Sequence, residues 1–255
     1  GDDPEADDDL RLGPALQFVV VMEDLGGLRV VDQNVGISID DARAAIDAAA
    51  TLHAKWWGRG DELAEKGTTI SLGDPIYPAV LPFVFGEGWE KLTKEMELPA
   101  GILEIGPGFS ERLPSLLQSL VAGPNTLCHG DFRADNILFD ADNDPVLIDF
   151  QLLGSGTGAY DVAYFITQSL TKEDASKYER ELFDRWIAGL QAKGLVVDAE
   201  DLWLQYRRCA LFCLAYPVIA SRGMDLNNER ERTLIEMMNE RFDRAVCELN
   251  LAELM

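Results

Sequence analysis

The sequence predicts an α+β fold that consists mainly of helices and contains one β-hairpin. Apolar residues recur at helical spacing on both sides of residues 126–150. Within that stretch, short apolar runs at 137–139 and 146–148 flank a segment rich in turn-forming residues. With 255 residues, 47% of them hydrophobic, the chain is long enough to bury a substantial core.

The N-terminal part predicts an acidic arm followed by one strand. Residues 1–10 are acidic and lack hydrophobic periodicity. Residues 17–22 form a β-branched and aromatic run of strand length, and the glycines that follow Leu25 favour a turn. From these residues alone, an ordinary edge strand and turn is one interpretation.

The rest of the chain predicts helices. Asp40 and Asp41 are expected to cap a helix that ends near Trp57. Prolines and glycines break residues 70–126 into short pieces. The other predicted helices span approximately residues 82–94, 111–121, 161–170, 172–193, 199–220 and 227–251. The glycine-rich residues 154–158 are expected to form a connecting loop, because they lack the spacing and the lysine of a phosphate-binding loop.

Composition excludes several classes of partner. The net charge of −23, from 45 acidic and 22 basic residues, opposes binding to nucleic acid or to an anionic membrane. It fits either the solvation of a charged surface or a cationic substrate. The four cysteines form no CxxC pattern, which indicates reduced thiols. An acidic N-terminus and the lack of a long apolar run predict a cytoplasmic protein.

Three polar residues are arranged around the predicted hairpin. Asn136 follows Asp131 by five residues, and Asp149 follows Asn136 by thirteen, directly after the second apolar run. Amide and carboxylate oxygens at the ends of adjacent strands suit Mg²⁺, and a preceding aspartate can accept a proton from a hydroxyl. The alternative is that these polar residues only cap turns.

The segment from His129 to Asn136, with Asp149 further on, resembles the aminoglycoside phosphotransferase and choline kinase-like families, and within them the ecdysteroid kinase-like group. The resemblance implies a protein kinase-like fold and ATP-dependent phosphorylation of a small-molecule hydroxyl. Asp131 would be the catalytic base, and Asn136 and Asp149 would bind Mg²⁺. Arg133 would be either a catalytic cation near the γ-phosphate or an ordinary surface arginine.

The same resemblance divides the chain into two parts. Residues 1–25 would comprise the acidic arm, the last strand of the N-lobe sheet and the hinge, where the peptide groups of Glu23, Asp24 and Leu25 would bind adenine. Residues 26–255 would form the helical C-lobe, with the catalytic loop at 126–150. Asp161 is expected to N-cap its helix and to contact that loop. No long activation segment separates Asp149 from Asp161, which favours a small acceptor.

Enzymes of this kind bind the nucleotide phosphates with a glycine-rich loop and with a lysine that a glutamate positions. The residues upstream of Glu23 contain no counterpart of these elements. We expect either that a longer chain supplies them or that the protein is natively truncated. The alternatives to a kinase are a nucleotide-binding or scaffolding pseudokinase and a Mg²⁺-dependent phosphohydrolase. Tyr77, Phe83, Phe85 and Trp89 belong either to an acceptor pocket or to the core. Acceptor identity and oligomeric state are left open.

Overall fold

The computed structural model describes residue 21 and residues 23–255. These residues form nine α-helices, five short β-strands and three 3₁₀ turns. The helices are α1 (Ile39–Trp56), α2 (Gly60–Glu65), α3 (Ile76–Glu95), α4 (Ala100–Ser119), α5 (Ala159–Ser169), α6 (Lys172–Ala192), α7 (Ala199–Phe212), α8 (Ala215–Ser221) and α9 (Glu229–Glu248). The strands are β1 (Ile70–Ser71), β2 (Thr126–Cys128), β3 (Ile137–Phe139), β4 (Pro145–Leu147) and β5 (Gly154–Gly156).

The helices enclose one apolar core. Helix α1 packs on α6, α3 on α4 and α8, and α5 on α7. The largest fully buried side chains are aromatic, and they include Trp186, Tyr206, Phe85 and Phe109. Complete burial of a large apolar side chain contributes roughly 1.5–3 kcal/mol relative to its exposure, so these side chains dominate the stability of the helical part.

A buried ion pair joins three of the helices. Arg244 of α9 and Glu179 of α6 approach to 2.6 Å, with side chains only 6% and 7% exposed. The hydroxyl of Tyr206 in α7 donates to the same carboxylate at 2.6 Å. Because both charges are removed from water, loss of either partner would leave an uncompensated charge between the helices.

The predicted hairpin is confirmed. Strands β3 and β4 pair antiparallel, with Ile137 opposite Leu147 and Phe139 opposite Pro145. The carboxylate of Asp140 accepts the backbone N–H groups of Asp142 and Asp144, each at 2.9 Å. These bonds close the turn between the two strands.

A second, three-stranded sheet has the order β1-β5-β2, with β5 parallel to β1 and antiparallel to β2. The expectation of a connecting loop at residues 154–158 was therefore wrong for residues 154–156, which form the central strand. A side chain at Gly156 would collide with that of Leu72, so glycine allows the close packing of this strand.

Several helix boundaries differ from the predictions. Helix α1 is capped by Ser38, whose Oγ accepts the Asp41 N–H at 3.2 Å, and the predicted caps Asp40 and Asp41 lie in its first turn. Helices α3 and α4 are longer than predicted and contain internal prolines. The helix predicted at 199–220 is divided into α7 and α8.

These elements confirm the predicted α+β class, a largely helical lobe that carries a β-hairpin. Most of the strand predicted at residues 17–22 lies outside the described residues, and the division at residue 25 stays a prediction. Within the described part of the chain, none of the helices is both long and apolar enough to cross a bilayer.

Candidate active site

The loop that follows β2 is shaped by Gly130. This residue has a φ of +87°, and a Cβ added to it would collide with the backbone carbonyl of Leu152. Both the left-handed conformation and the close approach require glycine. Gly130 therefore allows the loop that carries Asp131 to pack closely against the segment that follows Asp149.

Asp161 anchors this loop from the first turn of α5. Its carboxylate accepts the backbone N–H of His129 at 2.7 Å and that of Gly130 at 3.0 Å, and the residue is 1% exposed. The predicted contact with the loop is confirmed. The predicted N-cap role was wrong, because α5 begins at Ala159 and the carboxylate is engaged by the loop amides instead.

A third donor reaches the same carboxylate. The Nε2 of His53 lies 3.1 Å from Asp161 Oδ2, and the indole N–H of Trp186 donates to Nδ1 of His53 at 3.0 Å. Since Nδ1 accepts, the ring is neutral and carries its proton on Nε2, which donates to Asp161. His53 is thus a buried support for Asp161.

His129 supports the loop from the other side. Its Nε2 donates to the backbone carbonyl of Ile148 at 2.8 Å, which directs Nδ1 towards the backbone N–H of Asp131 at 3.4 Å. The ring therefore connects the loop to the end of the hairpin.

Asp131 and Asn136 are in direct contact. The side-chain amide of Asn136 donates to Oδ2 and to the backbone carbonyl of Asp131, both at 2.8 Å. The side chain of Asp131 is 13% exposed. Burial of the Tyr164 hydroxyl, together with the negative charge of Asp131, raises the pKa of Tyr164 above its ordinary range. Both amide hydrogens of Asn136 are directed at Asp131, and among the described residues no donor is bonded to its Oδ1.

The hairpin brings Asp149 next to Asn136. The backbone N–H of Ile148 donates to the carbonyl of Asn136 at 3.0 Å, and Asp149 follows directly. Asp149 is exposed and has a φ of +61°, and among the described residues its carboxylate receives one hydrogen bond, from Gln151 at 3.4 Å. An exposed carboxylate and an amide oxygen with no bonded donor among the described residues are the oxygen groups that a hard cation prefers.

In the described ranges, no cluster of three or more His, Cys, Asp or Glu side chains has a geometry suited to a metal ion. The pair of Asn136 and Asp149 would therefore supply two protein ligands at most. Magnesium is commonly bound in this way, through one or two carboxylates together with phosphate oxygens and water. The assignment of these two residues as metal ligands stays a prediction.

Arg133 is held in place by several partners. Its Nε donates to Asp131 Oδ1 at 3.1 Å, and Nη1 donates to Asp135 at 2.8 Å and to Gln33 at 3.1 Å. Burial lowers its pKa and the charges of Asp131 and Asp135 raise it, with a net rise, so the guanidinium stays charged. The structure places this cation beside Asp131, whereas its contact with a phosphate stays a prediction.

The predicted adenine-binding residues lie at a turn. Glu23 and Asp24 are exposed, Asp24 accepts the N–H of Gly26 at 2.9 Å, and Leu25 accepts that of Leu28 at 3.0 Å. Within the part of the chain that the structure describes, no hydrogen bond joins residues 23–25 to the catalytic loop. Their role in binding adenine stays a prediction.

A cavity of about 350 Å³ opens beside the loop. Of the four aromatic residues assigned to either an acceptor pocket or the core, Tyr77 lines the cavity, whereas Phe83 is 67% exposed and Phe85 is buried against Trp89. Three further aromatic lining residues, Tyr160, Phe212 and Tyr216, were not predicted. Tyr160 directly precedes Asp161, and this adjacency was the available signal.

Comparisons with known proteins place this geometry in context. The family model described as the phosphotransferase enzyme family matches residues 7–196. An uncharacterised protein of Deinococcus radiodurans is 27% identical over 138 residues, which cover 54% of this chain and 40% of that protein.

Three solved structures are similar at the level of the fold. An aminoglycoside-3'-phosphotransferase of type VIII has a TM-score of 0.45 and 22% identity, over 72% of this chain and 63% of that one. A macrolide 2'-phosphotransferase of Brachybacterium faecium has a TM-score of 0.41 and 18% identity, over 85% and 65% of the two chains. A glucosamine kinase has a TM-score of 0.41 and 17% identity, over 90% and 62%. The chain thus spans less than two thirds of the length of each of these relatives.

Proposed function

The chain belongs to the phosphotransferase enzyme family and has a protein kinase-like fold, and we propose that it carries the catalytic loop of an ATP-dependent kinase acting on a small-molecule hydroxyl. The observation that carries the proposal is the contact between Asp131 and Asn136 on a loop anchored by Asp161. It holds a carboxylate and an amide oxygen in one rigid arrangement next to an open cavity.

Asp131 is the proposed base. Its two carboxylate oxygens are oriented by Asn136 at 2.8 Å and by Arg133 at 3.1 Å. An acceptor hydroxyl that approaches this carboxylate transfers its proton to it as the oxygen attacks the γ-phosphorus of ATP, and the bond from that phosphorus to the bridging oxygen of the β-phosphate breaks to release ADP. Arg133, whose guanidinium contacts the Asp131 carboxylate, is the proposed cation near the γ-phosphate.

Asn136 Oδ1 and the Asp149 carboxylate are the proposed ligands of Mg²⁺. The fit rests on the open amide oxygen of Asn136 and on the exposed carboxylate of Asp149. When bound, the ion supplies neutralisation of the phosphate charge. The backbone groups of Glu23, Asp24 and Leu25 are the proposed adenine contacts.

Two narrower assignments belong to the same proposal. Phe132, Arg133 and Gln151 favour the ecdysteroid kinase-like group by resemblance, and the composition favours a cytoplasmic location. The names of the similar structures refer to aminoglycosides, macrolides and glucosamine, all of which carry hydroxyl groups. Each supports a small-molecule acceptor for this chain without naming it.

The test is ATP-dependent phosphorylation of a panel of alcohols by the full chain. We expect Asp131→Asn to lower turnover by about 10²- to 10⁴-fold, the usual contribution of a general base. Asp142→Asn, at an exposed position in the hairpin turn, is the matched control and should leave turnover unchanged. Undiminished phosphorylation by Asp131→Asn would refute the assignment of the base.

Calorimetry with Mg-ATP distinguishes the non-catalytic alternative. Binding of nucleotide with no turnover of any alcohol would favour a pseudokinase. Release of phosphate from phosphomonoesters, with no transfer to an alcohol, would favour a phosphohydrolase.

A further inference from the structure

We propose that the cavity beside the catalytic loop takes a neutral, largely apolar alcohol as the phosphoryl acceptor, an inference that rests on the proposed kinase function. The cavity is walled by residues from α3, α4, α5, α7 and α8, together with residues of the two loops that precede and follow the hairpin. It is therefore a feature of the tertiary fold, and neither the proposed metal ligands nor the proposed adenine contacts line it.

The lining is almost entirely apolar. Among the described residues, no charged side chain lines the cavity, and the aliphatic and aromatic side chains that do include Leu72, Leu81, Leu117, Leu152, Phe212 and Ile219. Such a surface stabilises a ligand in proportion to the apolar area that it removes from water, by roughly 25 cal/mol per Å². It offers no carboxylate to an ammonium group.

Among the described residues, the polar side chains in the wall are those of Tyr77, Tyr160 and Tyr216. Tyr160 donates to the backbone carbonyl of Gly130 at 3.3 Å, and the hydroxyl of Tyr216 lies in hydrogen-bond contact with that of Tyr160. If Tyr160 donates to Gly130, then Tyr216 donates to Tyr160, and both hydroxyl hydrogens are used within the protein. Burial and the charge of Asp131 raise the pKa of Tyr216, so this wall stays neutral.

The cavity is correctly placed for an acceptor. Gly130, one of its wall residues, directly precedes Asp131 in the chain. The hydroxyl of Tyr160, another wall residue, donates to the backbone carbonyl of Gly130 at 3.3 Å, so the wall contacts the backbone next to Asp131. The proposal therefore directs the hydroxyl of the acceptor to the Gly130 end of the cavity, towards the proposed base.

The volume limits the size of the acceptor. About 350 Å³ lies near the lower end of the range of roughly 300–1,000 Å³ that is typical of small-molecule pockets. One or two fused rings, or a branched chain of similar bulk, would fill it. A polycation such as an aminoglycoside would lose the hydration of its ammonium groups here without gaining an ionic partner.

Calorimetry without nucleotide tests this inference separately from catalysis. The probes are naphthylethanol, a neutral bicyclic alcohol, with glucosamine and kanamycin as polar cationic alcohols. We expect binding of naphthylethanol with a negative heat-capacity change, the marker of apolar burial, and no saturable binding of the other two. Binding of glucosamine or kanamycin in preference to naphthylethanol would overturn the inference.

Matched variants locate the binding. Leu81→Arg introduces a charge into the wall, and Leu103→Arg introduces the same charge at an exposed position on α4 outside the cavity. Leu81→Arg should weaken naphthylethanol binding about tenfold or more, and Leu103→Arg should not change it. If Leu81→Arg does not fold, as judged by circular dichroism, Ala220→Phe provides a neutral substitution that fills the cavity. Equal binding by wild type and the folded cavity variant would place the ligand elsewhere and refute the proposal.

The outcomes for the two proposals are distinguishable. Binding of naphthylethanol at the cavity without ATP turnover would contradict the kinase function and leave the chemistry of the pocket supported. Phosphorylation of a polar alcohol without binding of naphthylethanol would support the kinase function and reject an apolar acceptor.

Discussion

Asp161→Asn is the substitution that most directly tests how the catalytic loop is held. The change keeps the size and shape of the side chain but replaces one carboxylate oxygen by an NH₂ group. In the native protein, Oδ2 accepts from His129 N at 2.7 Å and from His53 Nε2 at 3.1 Å, and Oδ1 accepts from Gly130 N at 3.0 Å. The NH₂ group of an asparagine must therefore face at least one of these buried N–H groups, and two donors cannot form a hydrogen bond with each other.

The expected loss follows from these contacts. The better orientation of the asparagine keeps its oxygen at the Oδ2 position and leaves the Gly130 N–H unsatisfied, which costs about 1–3 kcal/mol. The two remaining hydrogen bonds lose their charged acceptor and weaken, since bonds to charged groups contribute roughly 1.5–3 kcal/mol against 0.5–1.5 for neutral pairs. Removal of a buried charge offsets part of this loss. We expect a fall in the free energy of unfolding of about 2–4 kcal/mol.

The measurement is urea unfolding followed by circular dichroism, with phosphorylation assayed in parallel. Asp142→Asn, in the exposed hairpin turn, is the control and should change the free energy of unfolding by less than about 0.5 kcal/mol. Asp161→Asn should also lower turnover, because the loop that carries Asp131 loses a backbone contact. A free energy of unfolding equal to that of the control would refute the view that Asp161 anchors the loop.

Three further outcomes are expected. Gly130→Ala should lower turnover and should destabilise the protein by more than Gly194→Ala. Both glycines have a φ of +87°, but of the two only Gly130 lies close to another segment of the described chain. Equal losses of the free energy of unfolding in urea would contradict this. Arg244→Met should lower the free energy of unfolding by about 3–5 kcal/mol, because it leaves the buried carboxylate of Glu179 without its ionic partner. Lys94→Met removes one partner of an exposed ion pair and should cost less than about 1 kcal/mol. Similar losses for the two variants would contradict this prediction. Burial raises the pKa of Cys213 to about 12 from an ordinary value of 9.0, so the thiol of the unfolded chain loses its proton at a lower pH and the free energy of unfolding falls as the pH rises from about 9 to 12. In urea unfolding between these pH values, Cys213→Ala should show a shallower decline in the free energy of unfolding than the wild type. An unchanged slope would refute the assignment.

The hairpin and the order of polar residues around it were predictable because the information is local. The spacing of Asp131, Asn136 and Asp149 sets their positions around one hairpin, and a hairpin needs only adjacent apolar runs and a turn. Strand pairing then brings Ile148 opposite Asn136 without reference to the rest of the chain. The same reasoning could not show that both N–H groups of the Asn136 amide are bonded to Asp131.

The sequence contains signals for two of the helix boundaries that were predicted wrongly, the cap of α1 and the start of α8. Ser38 is followed three residues later by Asp41, which is close to a capping-box pattern, and it is Ser38 that caps α1. Pro217 lies in the first turn of α8, where a missing N–H is tolerated, and so it marks the start of a new helix. In α4, by contrast, burial of an apolar face outweighs the helix-breaking tendency of Pro107 and Pro114.

The cavity could not be read from the sequence. Its wall combines residues from Leu72 to Ala220, and each of them is an ordinary apolar or aromatic residue in its own segment. Helical periodicity identifies the face of a helix that is buried, but it does not distinguish a filled core from an open pocket. Only the packing of α3 against α8 and α4 reveals the difference.

Arg29 has a consequence for local opening. Its backbone exchanges two hydrogen bonds with Phe139 of β3, at 2.8 and 3.0 Å, and its guanidinium binds the carboxylate of Asp41 in α1. The segment that follows the turn between Leu25 and Leu28, the hairpin and the start of α1 should therefore open as one cooperative unit. The amide hydrogens of Arg29 and Phe139 would then exchange with solvent deuterium at the same rate, and a clearly faster rate at Arg29 would show that the segment detaches while the hairpin stays closed.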